Sequence, residues 1–433
     1  MNTQPNVRAA MYGAWLERYA QVRAQTLALA APLSEADCQA QSMPDVSPTK
    51  WHLAHVTWFF ETFVLERFEP GFQPFHPSFR VLFNSYYQAV GDQHPRAQRG
   101  LITRPGLADI LVYRAQVDER IAALLQGEVS AELAALMELG LQHEQQHQEL
   151  LLTDIKHLLS CNPLNPVYAP KWPLSSVVAV PLAWVHYAAG MTELGHEGHG
   201  FAFDNESPRH STVLSAFALA NRLVTHGEWL AFMDDGGYRD PQWWMSAGWD
   251  WVRTHSVQAP LYWQPDALGG WSNFTLHGRV PIDPHTPVVH INWFEADAFA
   301  RWYGAQQGLP VRLPTEAEWE HAAQGLDGGL QAHGNFLESG ALHPMPVARS
   351  LVGPIQMGGD VWEWTASSYL PYPGYRAWAG AVGEYNGKFM VNQMVLRGGS
   401  CATPRSHIRA SYRNFFPTDA RWQFTGLRLA QDL

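Results

Sequence analysis

The chain has 433 residues, a hydrophobic content of 46% and a formal net charge of −11 at pH 7. This length allows two domains with separate cores, and an acidic chain without a basic block argues against nucleic acid as a partner. No apolar run is long enough to cross a bilayer, and residues 1–16 lack the apolar segment of a secretory signal. The three cysteines have no metal-ligand spacing. We therefore expect a cytoplasmic protein that binds neither nucleic acid nor a membrane.

Four long segments in the first third combine helical periodicity with a lack of internal breakers: 11–30, 48–68, 106–125 and 131–159. They predict an up-down four-helix bundle over residues 1–160. We expect the second helix to have Ser47 as its N-cap and Pro48 in its first turn. The loop between the second and third helices, residues 70–105, is long and aromatic, and loops of that length are usually functional.

The fourth predicted helix contains the sequence His143-Glu144-Gln145-Gln146-His147. Residues four apart share a face of a helix, so both imidazoles can bind one metal ion. The pattern H-E-x-x-H is also that of zinc metalloproteases, in which the Glu is the general base. However, Leu150 and Thr153 stand where one class of these proteases has a Gly and the third His. The pattern therefore favours a metal site of another kind.

The third ligand is expected on another helix, and the second helix offers His52 and His55. Spacing alone does not choose between these two. Neutral imidazole suits zinc, iron, copper or nickel, and three His without a thiolate leave coordination positions open for catalysis. The alternative is that His143 and His147 are solvated side chains on a helix face, with no metal.

Prolines recur over residues 161–181, which predicts a connector between two domains. Residues 182–433 are rich in glycine, tryptophan and short polar turns, with clear helical patterns only at 225–232 and 294–307. This pattern predicts an α+β domain with short strands.

An ordered series of short sequences in the second domain resembles a known family. It includes Val224-Thr225-His226-Gly227-Glu228, Gly359-Asp360-Val361-Trp362-Glu363-Trp364 and Leu396-Arg397-Gly398-Gly399-Ser400. This series resembles the formylglycine-generating enzymes (sulfatase-modifying factors), which have a C-type-lectin-like fold. The first domain resembles the DinB-like metal-binding four-helix bundles. Together the two domains resemble the ergothioneine-biosynthesis sulfoxide synthases (EgtB family), which are non-haem iron enzymes.

The resemblance implies an Fe(II) site with three His ligands. In that family one ligand ends an S-P-x-x-W-x-L-A-H segment and two come from H-E-Q-Q-H. The matching residues here are His55, His143 and His147. His52 then becomes a neighbour of the site or a residue of helix packing.

The resemblance also implies a binding site for hercynine, which is trimethylhistidine. Gln146 matches the position that contacts the imidazole of hercynine, and Asn414-Phe415-Phe416 matches the segment around its trimethylammonium group. An amide oxygen and aromatic ring faces present negative potential to a cation that cannot donate hydrogen bonds. For these last three residues ordinary core packing is the alternative. Tyr385 is a candidate for positioning the substrate.

One subgroup of the family has a catalytic pair of tyrosines in the bundle loop, and Tyr86-Tyr87 matches it. A phenol beside the metal can donate a proton or a hydrogen atom to a reduced oxygen species. Arg96 and Arg99 in the same loop can bind a donor's carboxylate in bidentate fashion. The alternative for both arginines is a solvated loop surface.

The resemblance implies that O2 and Fe(II) are used to join C2 of hercynine to cysteine or glutamylcysteine, giving a hercynyl sulfoxide. A close alternative is a selenoneine synthase with a selenosugar donor. Further alternatives are a DinB-type thiol S-transferase that uses zinc or nickel, and a lectin-like binding module. Formylglycine formation is disfavoured because only Cys401 lies where that family has two copper-binding cysteines.

Overall fold

The computed structural model describes residues 4–170, 177–267, 269–332, 334–347 and 353–433, with side chains from residue 13 onward. The chain divides into two compact units. The first comprises Met1–Pro163 and Ala379–Glu384, and the second comprises Leu164–Trp378 and Tyr385–Leu433. Among the described residues, no helix has both the length and the apolar character needed to cross a membrane.

The first unit is helical. Its helices are α1 (Gln4–Ala30), α2 (Glu35–Gln39), α3 (Thr49–Phe59), α4 (Glu66–Phe68), α5 (Phe79–Leu82), α6 (Leu107–Leu125) and α7 (Ala131–Ser160). A π-helical segment, Phe60–Leu65, joins α3 to α4. The four predicted long helices are confirmed, with the second one divided by the π-helical segment. The predicted domain limits, 1–160, 161–181 and 182–433, stay predictions.

The start of α3 differs from the prediction. Pro48, rather than Ser47, is the N-cap residue, and it offers no side-chain cap. Ser47 has other partners, because its backbone N–H donates to the carboxylate of Asp154 at 2.8 Å and its hydroxyl accepts from Arg99 at 2.9 Å. The predicted N-cap was therefore wrong by one residue. Ser47 instead links the start of α3 to Asp154 of α7 and to Arg99 of the long loop.

The second unit is built from short strands. They are β1 (Trp184–Tyr187), β2 (Gly190–Leu194), β3 (His210–Leu214), β4 (Phe217–Ala220), β5 (Trp263–Pro265), β6 (Trp271–Thr275), β7 (Gly278–Pro281), β8 (Val311–Arg312), β9 (Trp362–Ser368), β10 (Gln393–Arg397), β11 (Asn414–Pro417), β12 (Thr425–Gly426) and β13 (Ala430–Asp432). Two sheets have four strands each, in the orders β1-β4-β13-β8 and β11-β10-β9-β12. The strands β5-β6-β7 form a third sheet, and β2 pairs with β3. The predicted combination of a helical bundle with an α+β domain is confirmed.

The helices of the second unit outnumber the two that were predicted. They are α8 (His226–Asp234), α9 (Ser246–His255), α10 (Trp293–Gln307) and α11 (Glu316–Gln324); α12 (Glu384–Gly387) begins at the last residue of the first unit. The predictions for α8 and α10 are confirmed, whereas α9 and α11 were missed. The signal for α11 was present as a capping box, in which Thr315 accepts from the Glu318 backbone and Glu318 accepts from the Thr315 backbone.

Buried ion pairs hold the interior of the second unit. Arg428 and Glu363 are both fully buried and lie 2.9 Å apart. Arg397 contacts Glu316 at 2.9 Å and Glu320 at 3.0 Å. Each buried guanidinium has a carboxylate partner, which is the arrangement that makes a buried charge tolerable.

Candidate metal centre

Three imidazoles from two helices meet inside the first unit. His55 lies on α3, His143 and His147 lie on α7, and each offers a ring nitrogen within 4.8 Å of the others. The Nε2 atoms of His55 and His143 are 3.2 Å apart. His143 and His147 share a face of α7 because they are four residues apart. The structure therefore brings together the three residues that were predicted as metal ligands.

The local environment keeps these imidazoles neutral. Burial lowers the pKa of His143 to about 4. Burial, and then the neighbouring His143, hold the pKa values of His55 and His147 well below their usual range. A neutral imidazole is the form that binds a metal, so the donor set fits a divalent iron, zinc, nickel or copper ion. Among the described residues, no thiolate or carboxylate joins this group of ligands.

Hydrogen bonds fix the orientation of two of the rings. His55 Nδ1 lies 2.6 Å from the carbonyl oxygen of Phe83. Since a carbonyl only accepts, Nδ1 carries the proton and Nε2 of His55 is free to bind a metal. His147 Nδ1 lies 2.9 Å from Nδ1 of His52. The remaining nitrogen of each ring can therefore face an ion.

The glutamate between the two α7 histidines is not available as a general base. Glu144 is fully buried and contacts Arg114 at 2.5 Å, Thr26 at 2.7 Å and Arg23 at 2.9 Å. Burial by itself raises its pKa, but the two guanidinium groups outweigh that effect and lower the pKa to about 2. The carboxylate is an anchor for α1, α6 and α7. This arrangement argues against protease chemistry from H-E-x-x-H, in agreement with the sequence.

The long loop contacts α3 beside the predicted metal ligands. Trp51 stacks on His55, with ring centroids 4.6 Å apart. The guanidinium carbon of Arg99 lies 3.4 Å from the centre of the Trp51 ring on which it rests. Arg99 also donates to the hydroxyl groups of Ser47 and Ser85, each at 2.9 Å. The loop therefore places a cation one aromatic ring away from a predicted metal ligand.

Arg99 is a buried cation, with only 4% of its surface exposed. Among the described residues no ion pair of Arg99 is present, although the charge of Asp154 acts on it and partly opposes the effect of burial. Burial lowers its pKa to about 9. Arg96 differs, since it is exposed and donates to the hydroxyl of Tyr86 at 2.7 Å. The two arginines of the predicted pair thus lie in different environments.

The two predicted catalytic tyrosines also differ. Tyr87 is buried, and its ring packs against Trp58 at 5.7 Å and Phe63 at 5.1 Å. Trp58 in turn stacks on His55, with centroids 5.5 Å apart. Tyr86 is half-buried. The ring of Trp58 therefore lies between Tyr87 and His55, a predicted metal ligand, whereas Tyr86 is paired with the exposed Arg96.

The predicted hercynine residues of the second unit lie on and near β11. Adjacent residues of a strand point to opposite faces, so Phe415 is directed away from the face that Asn414 and Phe416 share. Phe415 stacks on Tyr369 at 4.0 Å and lies 6.4 Å from Tyr385, centroid to centroid. Phe416 packs edge-on against Trp422 at 6.0 Å. Gln146, in the first unit, is half-buried on α7.

Comparisons with known proteins match both units. The model of the sulfatase-modifying factor enzyme 1-like domain matches residues 180–433, and that of the DinB superfamily matches residues 18–151. A hercynine oxygenase of Mycolicibacterium thermoresistibile is 34% identical over 95% of this chain and 93% of its own length. The chain belongs to the hercynine oxygenase (EgtB) family.

Further relatives agree with this membership. Another hercynine oxygenase, from Mycobacterium tuberculosis, is 33% identical over 96% of this chain and 97% of its own length. A formylglycine-generating enzyme of Streptomyces coelicolor is 31% identical over 54% of this chain and 84% of its own length. The family resemblance expected from the sequence is therefore confirmed, for both domains.

One contact in this hercynine oxygenase homologue was missed by sequence reasoning. Glu384 accepts the backbone N–H groups of Gln88 and Ala89, each at 2.9 Å. These amides open the short 3₁₀ helix that directly follows Tyr86-Tyr87. The carboxylate thereby holds the backbone next to the tyrosine pair. Nearly 300 residues separate the partners in sequence, so no local pattern could have indicated the contact.

Proposed function

We propose that this protein is an Fe(II)-dependent hercynine oxygenase that forms a carbon–sulfur bond at C2 of hercynine. The C2–H bond of hercynine and the S–H bond of a thiol break, and the new C–S bond forms. One atom of O2 becomes the sulfoxide oxygen, and the other leaves as water with the two hydrogens. The observation that carries this proposal is the group of three neutral imidazoles within 4.8 Å of one another in a member of this family. We also propose that the protein is cytoplasmic.

His55, His143 and His147 are the proposed ligands. Iron held by three imidazoles would supply redox chemistry together with open positions that hold reactants near one another. The protein's own contribution is to present neutral rings in fixed orientations. The carbonyl of Phe83 orients His55, while Glu144 anchors α7 through its two arginines.

Tyr86 and Tyr87 are the proposed proton donors. Burial of Tyr87 among Trp58 and Phe63 keeps its hydroxyl in a setting that excludes bulk water. The hydroxyl of Tyr86 accepts a hydrogen bond from Arg96 at 2.7 Å, which fixes the position of the phenol oxygen. A donor held near the reacting oxygen contributes by general acid catalysis.

Arg99 is the proposed partner of a donor's carboxylate. A buried cation without a carboxylate in direct contact is costly, and an incoming carboxylate would relieve that cost through charge-assisted hydrogen bonds. Its two neutral hydroxyl partners hold the guanidinium in place without neutralising it. This argument favours an amino-acid thiol such as cysteine or glutamylcysteine over a selenosugar, which lacks a carboxylate.

Gln146 is the proposed contact for the imidazole of hercynine. Of the expected segment Asn414-Phe415-Phe416, we propose Phe415, together with Tyr385, for the trimethylammonium group. Half-buried rings suit this cation because it is attracted to ring faces. Phe415, Tyr385 and Phe389 form such a group, with centroids 5.6–6.4 Å apart. We therefore assign the aromatic contact to Phe415 rather than to Phe416.

Product analysis tests the proposal. Protein loaded anaerobically with Fe(II) would receive hercynine and O2 together with cysteine, glutamylcysteine or a selenosugar in parallel reactions. We expect a hercynyl sulfoxide from one of the two thiols, identified by mass. If only the selenosugar gave an adduct, the donor would be the selenosugar and not a thiol. Thiol transfer that is supported by zinc, without O2 uptake, would refute the oxygenase assignment.

A further inference from the structure

His52, which is not one of the three proposed ligands, links one of them to a buried carboxylate. Its Nδ1 lies 2.9 Å from Nδ1 of His147, and its Nε2 lies 3.0 Å from a carboxylate oxygen of Asp154. His52 is 3% exposed and Asp154 is 7% exposed, so water does not compete for these contacts.

The carboxylate determines the direction of these hydrogen bonds. An ionised Asp154 only accepts, so Nε2 of His52 carries the proton that the contact requires. Nδ1 of His52 is then an acceptor, and Nδ1 of His147 must donate to it. The nitrogen of His147 that is left without a proton is Nε2. This tautomer is the one that can bind a metal.

Asp154 is itself held in place. The same oxygen accepts the backbone N–H of Ser47 at 2.8 Å. The other oxygen lies 3.3 Å from the hydroxyl of Thr153, whose one proton is shared with the carbonyl of Leu150 at 2.9 Å. Asp154 follows His147 by seven residues, which is about two turns of α7. His52 reaches both of them from α3.

The other two imidazoles have no such support. His55 donates to the neutral carbonyl of Phe83. Nδ1 of His143 has no hydrogen-bond partner among the described residues. A carboxylate behind a ligand imidazole fixes its tautomer and increases its basicity, and loss of such support typically costs about 10–100-fold in metal affinity.

We propose that His52 and Asp154 are positioning residues of the metal centre, which fix the tautomer and ring orientation of His147 and strengthen its bond to the ion. This inference rests on the proposed three-His site. It adds two residues that act through His147 and touch neither the ion nor a substrate.

Anaerobic titration with Co(II), followed by the visible absorption of the bound ion, measures this effect independently of turnover. We expect His52→Phe to bind Co(II) about 10–100-fold more weakly than wild type. His52→Asn keeps an acceptor beside His147 but loses the link to Asp154, so its affinity should be intermediate. Asp154→Asn should also weaken binding, and combining it with His52→Phe should add little because the intermediary is already gone.

His407→Phe is the matched control. His407 is also a buried histidine, and its Nε2 lies 3.1 Å from the hydroxyl of Tyr412. It belongs to the second unit, which holds none of the proposed ligands, so its loss should leave Co(II) affinity unchanged. Urea unfolding of each metal-free variant separates loss of affinity from loss of fold. If His52→Phe does not fold, the comparison of Asp154→Asn with wild type gives the result.

Wild-type affinity in both His52→Phe and Asp154→Asn would overturn the inference while leaving the three-His centre intact. Failure of the wild type to bind Co(II) would overturn the centre itself, and the inference with it. Equal weakening in His407→Phe would also overturn the inference, because the effect would then follow from the loss of any buried histidine.

Discussion

The histidines of α3 and α7 illustrate how a hydrogen-bond partner determines the use of a side chain. His55 and His143 are buried and neutral, with Nε2 atoms 3.2 Å apart. His52 is equally buried, yet both of its nitrogens have partners, so it cannot join the ligand set. The sequence left the choice between His52 and His55 open. The contacts support the choice of His55 that the resemblance implied.

The tyrosine pair gives a prediction at this scale. Replacement of both Tyr86 and Tyr87 by Phe should leave Co(II) and Fe(II) binding unchanged, because neither hydroxyl is a proposed ligand. Sulfoxide formation should fall about 100-fold or more, within the usual contribution of a general acid. Tyr113→Phe, which removes a buried hydroxyl bonded to Glu61, is the control for loss of a phenol elsewhere in the bundle. An unchanged product profile in the double variant would remove the pair from the mechanism.

Arg99 gives a second prediction. Arg99→Lys should raise the KM of the thiol donor about 10–100-fold, since a charge-assisted hydrogen bond is worth roughly 1.5–3 kcal/mol. The KM of hercynine should change little. Arg104→Lys is the matched control, because Arg104 is an exposed arginine of the same loop. Equal effects of Arg99→Lys on the KM values of both substrates would contradict a carboxylate site at this residue.

The alternation along β11 gives a third prediction. Phe415→Leu should raise the KM of hercynine several-fold while leaving that of the donor near the wild-type value, because an aromatic contact to a cation is worth about 0.5–2 kcal/mol. Phe416→Leu, on the opposite face of the same strand, is the control. The reverse order of effects in steady-state kinetics would move the cation to the face of Asn414 and Phe416.

At the scale of elements, α7 is held in place by the buried carboxylate of Glu144, which arginines of two other helices neutralise. Arg23 comes from α1 and Arg114 from α6, and both reach the carboxylate of Glu144. Glu144 was predicted only as part of the metal-binding sequence. Its partners lie 121 and 30 residues away, a separation that local spacing does not reveal. The same limit explains why Glu384 and Asp154 were not predicted as parts of the site.

Glu144 gives a prediction about acid stability. Its pKa is lowered to about 2 in the folded protein, from 4.5 in the unfolded chain. Its contribution is therefore fully present above pH 4.5 and is lost as the pH falls from 4.5 towards 2. The difference corresponds to about 3 kcal/mol. Urea unfolding of the metal-free protein over this pH range would measure it.

Glu144→Gln should lack this part of the pH dependence and should be less stable by about 3–5 kcal/mol at neutral pH, because two buried guanidinium groups lose their partner. Glu138→Gln is the control, since Glu138 pairs with the partly exposed Arg18. An acid transition in Glu144→Gln identical to that of wild type would contradict the assignment.

At the scale of the whole molecule, the sequence predicted the class of both units and the positions of six helices. Periodicity was sufficient for α1, α6 and α7 because these helices are long, with 27, 19 and 30 residues. It failed for α9 and α11, which have ten and nine residues and are rich in charged and aromatic residues. Helical spacing relates only residues of one helix. The choice of His55 over His52 as the third ligand therefore required the family resemblance.

The coupling of O2 uptake to hercynine consumption tests the central claim most directly. It would be measured with Fe(II)-loaded protein, using an oxygen electrode and mass analysis of the same sample. We predict one O2 consumed per hercynine converted to sulfoxide, no sustained uptake when either hercynine or the thiol is omitted, and no activity in His143→Ala. Sulfoxide formation in His143→Ala, or turnover of hercynine and thiol without O2 uptake, would contradict the account.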